Sequence, residues 1–177
     1  IGAMAKNLRY QGAGSSHINP TGLSQPLDFL PDAVYAPGCD DRGDTTDTLL
    51  TEARKAAQQA EVAVVFAGLP DHYESEGFDR NDMNIPAGHL RMIEAVASAN
   101  PNTVVVLLCG SAVECPWADR VKAVLYMGLP GQAGGEAIAE LLYGRVNPSG
   151  KLAESWPFTY GDVPSSEIYG KTTDALY

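Results

Sequence analysis

Three short apolar runs alternate along this chain with three stretches of helical periodicity. Glu61–Gly68 (EVAVVFAG), Thr103–Gly110 (TVVVLLCG) and Val121–Gly128 (VKAVLYMG) are rich in valine and bounded by polar residues or glycine. Continuous apolar runs of this length suit strands covered on both faces, which is the parallel-sheet case. Ahead of the first run, Asp44 or Thr45 can cap a helix reaching about Ala60, with Leu49, Leu50, Ala53 and Ala57 on one stripe. Pro86 opens a second helix with Leu90, Ile93, Val96 and Ala97 inward. Ala99-Asn100-Pro101 ends it, because the residue before proline is pushed out of helical geometry. A third helix runs from about Gly134 to Tyr143, with Ile138, Leu141 and Leu142 inward and Gly144 as its stop. The alternating order predicts right-handed crossovers and the α/β fold class. The expected architecture is a three-layer α/β/α sandwich with a mainly parallel sheet of about five or six strands. Ala33–Pro37 and Leu152–Trp156 are two further expected strands, and a first strand is expected to end just before Gly2. Arg9 to about Pro31 is rich in Gly, Ser and Pro, has no periodicity, and reads as a long loop or several turns.

Composition narrows the function. The 177 residues, 45% hydrophobic and 19% charged, suit a single globular domain over residues 1–177. Twelve Lys and Arg against 22 Asp and Glu leave a formal charge of −10 with no basic run. Nucleic acid and anionic membrane are therefore not expected partners, since both need a basic face. No stretch approaches the roughly 18 apolar residues that a spanning helix requires. Cys39, Cys109 and Cys115 are an odd count without a CxxC pair, which argues against a disulfide framework and a zinc site. The chain opens at Ile1 without a methionine and ends at Tyr177 without a stop signal, and is expected to be part of a longer protein. Reduced-looking cysteines and an acidic surface suit a bacterial cytoplasm, with a secreted parent still open.

Ligands of open α/β sheets bind beyond the carboxyl ends of the strands. Four loops leave those ends, at residues 11–21, 69–86, 111–117 and 129–135. The second is the richest, Leu69-Pro-Asp-His-Tyr-Glu-Ser-Glu-Gly-Phe-Asp-Arg80, and too long for a minimal turn. Glu74 or Glu76 can be presented there as a general acid/base, with Gly77 allowing a sharp turn and Asp79 and Arg80 anchoring the loop. A solvated acidic loop is the plainer reading of the same spacing. Gly12-Ala-Gly-Ser-Ser-His17 lacks the third glycine of a dinucleotide fingerprint and reads as a tight turn. His17, His72 and His89 have no metal-ligand spacing, so neither metal nor cofactor is expected. Cys109 and Cys115 have no evident base beside them and read as core residues. Ser15 and Ser16 lie outside any GxSxG elbow. Pro130-Gly-Gln-Ala-Gly-Gly135 reads as a helix entry shaped for close packing.

Taken together, five words in fixed order resemble the C-terminal α/β sandwich domain of glycoside hydrolase family 3. They are Glu74-Ser-Glu-Gly-Phe-Asp-Arg80, Ala99-Asn-Pro-Asn-Thr-Val-Val-Val-Leu107, Pro116-Trp117, Pro130–Gly135 and Asn147-Pro-Ser-Gly-Lys-Leu152, while Tyr10–Ser16 resembles the family's loop after its first strand. The resemblance implies a retaining exo-acting β-glycosidase of the β-glucosidase type, acting on terminal non-reducing β-linked sugars. In it a β/α-barrel of the same parent chain supplies an Asp nucleophile, and the sandwich supplies the acid/base Glu, the two carboxyls about 5–5.5 Å apart. The family's Glu-Gly-x-Asp-Arg pattern falls on Glu76, Gly77, Asp79 and Arg80, which favours Glu76 over Glu74. Asp79 and Arg80 become structural supports, and Ser15 and Ser16 border the sugar site. A barrel needs roughly 250 more residues, so the chain alone is expected to be inactive. In the lone domain a wet loop would let Glu76 titrate near an ordinary value of about 4.3. Two other classes stay open: a non-catalytic carbohydrate-binding or interaction module, and a Rossmann-like or flavodoxin-like nucleotide-binding domain.

Overall fold

A computed structural model describes residues 1–169 and 171; the terminal residues 174–177 considered above lie outside the described residues. Among the described residues three α-helices and three strands follow in the order α1 (Asp47–Gln59), β1 (Ala63–Gly68), α2 (Ala87–Ala99), β2 (Thr103–Leu108), β3 (Ala123–Tyr126) and α3 (Gly134–Leu142), with only a short 3-10 turn at Ala118–Arg120 between β2 and β3. The strands form one parallel sheet in the order β1-β2-β3. Along β1 and β2 residues alternate between two cores, as a period of two requires. Val65, Ala67, Val105 and Leu107 face Leu50, Ala53, Ala57, Met92, Ile93 and Val96 of α1 and α2. Phe66, Val106 and Leu108 face Ile138 of α3 together with Met4, Ala5 and Leu8. Helices on both faces make three layers.

The sheet has three strands among the described residues, against the five or six expected. Residues 33–37 are not a strand: Val34 and Tyr35 are exposed, and Ala36 only accepts a single bond from Gly2 N (3.1 Å). Residues 152–155 are exposed and unpaired with β3, although Trp156 packs edge-on against Tyr126 at 5.0 Å. Beside β1, Ile1 alone pairs, its amino group donating to Val64 O and its carbonyl accepting from Phe66 N, both at 2.8 Å, and one residue is too little to count as a strand. An apolar pattern proposes a strand, but only a neighbouring ladder makes one.

The helix ends are set locally. Thr46 caps α1 in place of the expected Asp44 or Thr45, its hydroxyl accepting from Leu49 N at 3.3 Å. Thr45 lies one residue too early to cap, and its hydroxyl donates instead to Gly38 O at 2.6 Å. Buried Asn100 donates to the Ala57 and Ala60 carbonyls (2.8 and 2.9 Å), satisfying acceptors that a helix end leaves orphaned. His89, wholly buried at the start of α2, sets its Nδ1 against the Gly68 backbone at the carboxyl end of β1. At the entry to α3, Gly135 touches the backbone of Ser24 and Gln25, where a Cβ would stand 2.5 Å from the Gln25 carbonyl carbon.

Two outcomes follow from these contacts. A Cβ on Gly88 would meet Gly43 O at 2.1 Å, backbone against helix, where nothing can swing aside. Alanine improves helix propensity by about 1 kcal/mol, but overpacking costs about 1–3 kcal/mol; Gly88→Ala should therefore lower the urea midpoint without altering the m-value. Burial pushes the pKa of His89 from 6.5 down to about 4. Within that window the unfolded chain binds a proton that the folded chain refuses, so stability falls as pH drops from 6.5 towards 4. Equilibrium unfolding at a series of pH values should show this slope in the native chain and a flatter one in His89→Gln.

Candidate active site

Because β1 and β2 are parallel and in register, Gly68 and Leu108 end side by side, with Leu69 N donating to Leu108 O at 2.9 Å. The loops that follow, residues 69–86 and 109–117, consequently leave the same edge of the sheet. A third segment, residues 9–17, joins them there.

The two glutamates of the longer loop have opposite surroundings. Glu74 is drawn inward, its side chain 14% exposed. One carboxylate oxygen accepts from Gly110 N at 2.6 Å and the other from Ser111 Oγ at 2.7 Å. Arg9, buried, donates to the Glu74 carbonyl at 3.3 Å, lies 3.6 Å from its carboxylate, and pairs with Asp71. Arg80 donates to Ser111 Oγ (2.8 Å) and to the Ala112 carbonyl (3.1 Å), so the hydroxyl passes one hydrogen bond from Arg80 on to Glu74. Gly110 leaves room here, since a Cβ would sit 2.7 Å from the Glu74 carboxylate and push it aside.

Glu76, two residues on, points outward and is exposed. Its backbone N–H donates to Ala13 O at 3.5 Å, and its carboxylate accepts from Ser15 N at 2.5 Å. The Ser15 side chain and backbone N–H together hold its pKa below the ordinary glutamate value, rather than at the value expected for a wet loop. Gly14 shapes the contact: it has a φ of +90°, and a Cβ there would stand 2.6 Å from the Glu76 Cβ. Gly77 turns the chain away at a φ of +97°. Phe78 beside it is half exposed. Asp79 is exposed and makes no hydrogen bond or ion pair among the described residues, whereas Arg80 ties the loop to residues 111–112. Ser16 is exposed on the same turn as Ser15.

A cleft of about 440 Å³ lies between this loop and the amino-terminal segment, lined by Arg9, Tyr10, Gln11, His17, Asp71 and His72 among others. No group of three His, Cys, Asp or Glu side chains that could hold a metal ion gathers among the described residues. Cys109 is buried at the carboxyl end of β2, where desolvation raises its thiol to about 12; Cys115 is raised to about 11 by the same cause. Neither is thiolate-forming at neutral pH. Sequence reasoning missed Arg9, Gly110 and Ser111. Arg9 meets Asp71 across 62 residues of chain, and no local spacing signals such a contact.

The whole chain, residues 1–177, matches the family description "Glycosyl hydrolase family 3 C-terminal domain". The chain belongs to glycosyl hydrolase family 3. The family 3 domain is 54% identical over 173 residues to the Thermostable beta-glucosidase B of Acetivibrio thermocellus, covering 93% of this chain and 23% of that protein. It is 46% identical over 171 residues to an Exo-alpha-(1->6)-L-arabinopyranosidase of Bifidobacterium longum, again covering 93% of this chain and 23% of the relative. The fold superimposes on the crystal structure of the Bifidobacterium adolescentis GH3 beta-glucosidase with a TM-score of 0.87 and 45% identity, covering 93% of this chain and 25% of that one. The family 3 domain thus spans about a quarter of the length of these relatives. No helix among its described residues is long and apolar enough to cross a membrane.

In the isolated family 3 domain, a residue-resolved NMR titration should place Glu76 below the ordinary glutamate value of about 4.3. A depressed carboxylate contributes stability that is present above its unfolded pKa and lost as pH falls through the folded one. Gly14→Ala should push the side chain off Ser15 and return the titration towards the ordinary value, with far-UV circular dichroism unchanged.

Proposed function

We propose that this chain is the sandwich domain of a retaining exo-β-glycosidase of the β-glucosidase type, and that Glu76 is its general acid/base. The observation that carries the reading is the unequal fate of two carboxylates on one loop. Glu74 has both oxygens engaged by protein donors, whereas Glu76 is exposed and held by one neighbour at the carboxyl end of the sheet. A proton shuttle has to be reachable by the glycosidic oxygen, and Glu76 is the more exposed of the two.

The roles follow from retaining chemistry. Glu76 protonates the leaving oxygen as the glycosyl bond breaks, then takes a proton from the water that cleaves the glycosyl-enzyme. The nucleophile comes from a β/α-barrel in the same parent protein, docked against the loop; the relatives' length, about four times this chain, supports a further catalytic half. The 177 residues alone are therefore inactive. A general acid near neutral pH needs a raised pKa, and the Ser15 contact acts the other way. Docking supplies the correction by burying the loop beside the nucleophile, whose like charge raises the pKa of Glu76. Ser15 and Ser16 border the terminal sugar, a β-linked residue at a non-reducing end. Three free cysteines suit a cytoplasmic setting.

In the full-length enzyme, Glu76→Gln should slow cleavage of alkyl β-glucosides by about 10²–10⁴-fold, the usual worth of general acid catalysis. Dinitrophenyl β-glucoside, whose leaving group needs no proton, should be cleaved with a much smaller loss in its first step. Equal losses on both substrates would remove Glu76 from the role.

A further inference from the structure

We infer that Glu74 is a positioning residue that aims Glu76, through a clamp made with Arg9, Gly110, Ser111 and Arg80. The inference rests on the acid/base reading of Glu76 and adds to it how the loop is held. The loop is long and mostly exposed, with its free end at Gly77 turning through open space. A carboxylate carried on such a loop would wander unless something inboard pinned the backbone. Glu74 is that pin. Its two oxygens bind the backbone and hydroxyl of the first two residues beyond Cys109, at the end of the rigid central strand. Arg9 holds the Glu74 carbonyl and, through Asp71, the start of the same loop. Arg80 returns the far side of the loop to Ser111 and Ala112. Glu76 lies between the two fastenings.

Both oxygens of the side chain are also already committed as acceptors. Protonating Glu74 would replace an acceptor of the Gly110 N–H or the Ser111 hydroxyl with a donor, and would strip buried Arg9 of a counter-charge. Its effect on catalysis should be exerted through Glu76. Misplacing a reacting group by about 1 Å can lower a rate about 10²-fold, and two residues that act through one group are strongly non-additive.

The test is a double-mutant cycle in the full-length enzyme, read as kcat and KM on methyl β-glucoside and dinitrophenyl β-glucoside. Glu74→Ala should lower kcat on methyl β-glucoside by about 10²-fold with little change in KM, and lower the dinitrophenyl rate less. Glu74→Gln should recover most of this, because an amide can accept from Gly110 N and donate to Ser111 Oγ. Added to Glu76→Ala, the Glu74→Ala change should cost less than about threefold. Ser111→Ala, a milder change that keeps the backbone partners, should act in the same direction should Glu74→Ala fold poorly. Full multiplication of the two losses would make Glu74 a support of the fold only and overturn the inference, leaving the role of Glu76 intact. A Glu74→Gln variant as slow as Glu74→Ala, with added azide trapping glycosyl azide in Glu74→Ala but not in Glu76→Ala, would make Glu74 the acid/base and overturn both readings.

Discussion

The parallel register of β1 and β2 is the constraint from which the site follows. Pairing Gly68 with Leu108 brings the ends of two strands together, although forty residues of chain separate them. Both strands are buried on both faces, so the pair cannot slip by one residue without turning Phe66, Val106 and Leu108 into the wrong core. The loop that carries Glu74 and the loop that carries Gly110 and Ser111 then share one edge, and a carboxylate from the first can reach donors of the second.

Two carboxylates two residues apart acquire different chemistry from this arrangement. Loop residues two apart need not face the same way, and here one side chain turns towards the sheet end and the other towards solvent. The inward one meets a backbone N–H, a hydroxyl and a buried guanidinium. The outward one meets a single turn at Ser15, opened by the absent side chain of Gly14. The family 3 relatives span about four times this length, and the outward carboxylate is exposed.

Glycine serves this edge as space, and at Gly14 and Gly77 through a positive φ as well. Gly68 lies against the Leu108 carbonyl, Gly110 against the Glu74 carboxylate, and Gly14 against Glu76. Each permits an approach that a methyl group would block. The same principle places Gly88 over residue 43 and Gly135 over residues 24–25, close contacts that hold the flanking segments to the layered core.

The three strands, the three helices and the α/β class were legible in the sequence because burial writes itself as continuous apolar runs and helix faces as a period of 3.6. The Glu-rich loop was legible too, through its length and its Glu-Gly-x-Asp-Arg word. The expected strands at 33–37 and 152–156 were not realised, because a strand depends on a partner ladder and apolar character alone does not supply one. The capping threonine is Thr46, the extended residue immediately before the first helical turn, whose hydroxyl can accept from Leu49 N. Which glutamate turns inward and which outward, and that Arg9 and Ser111 hold the inward one, was decided only by the tertiary structure. Those contacts join residues 36 to 65 apart in the chain, and no local pattern encodes which distant loops meet.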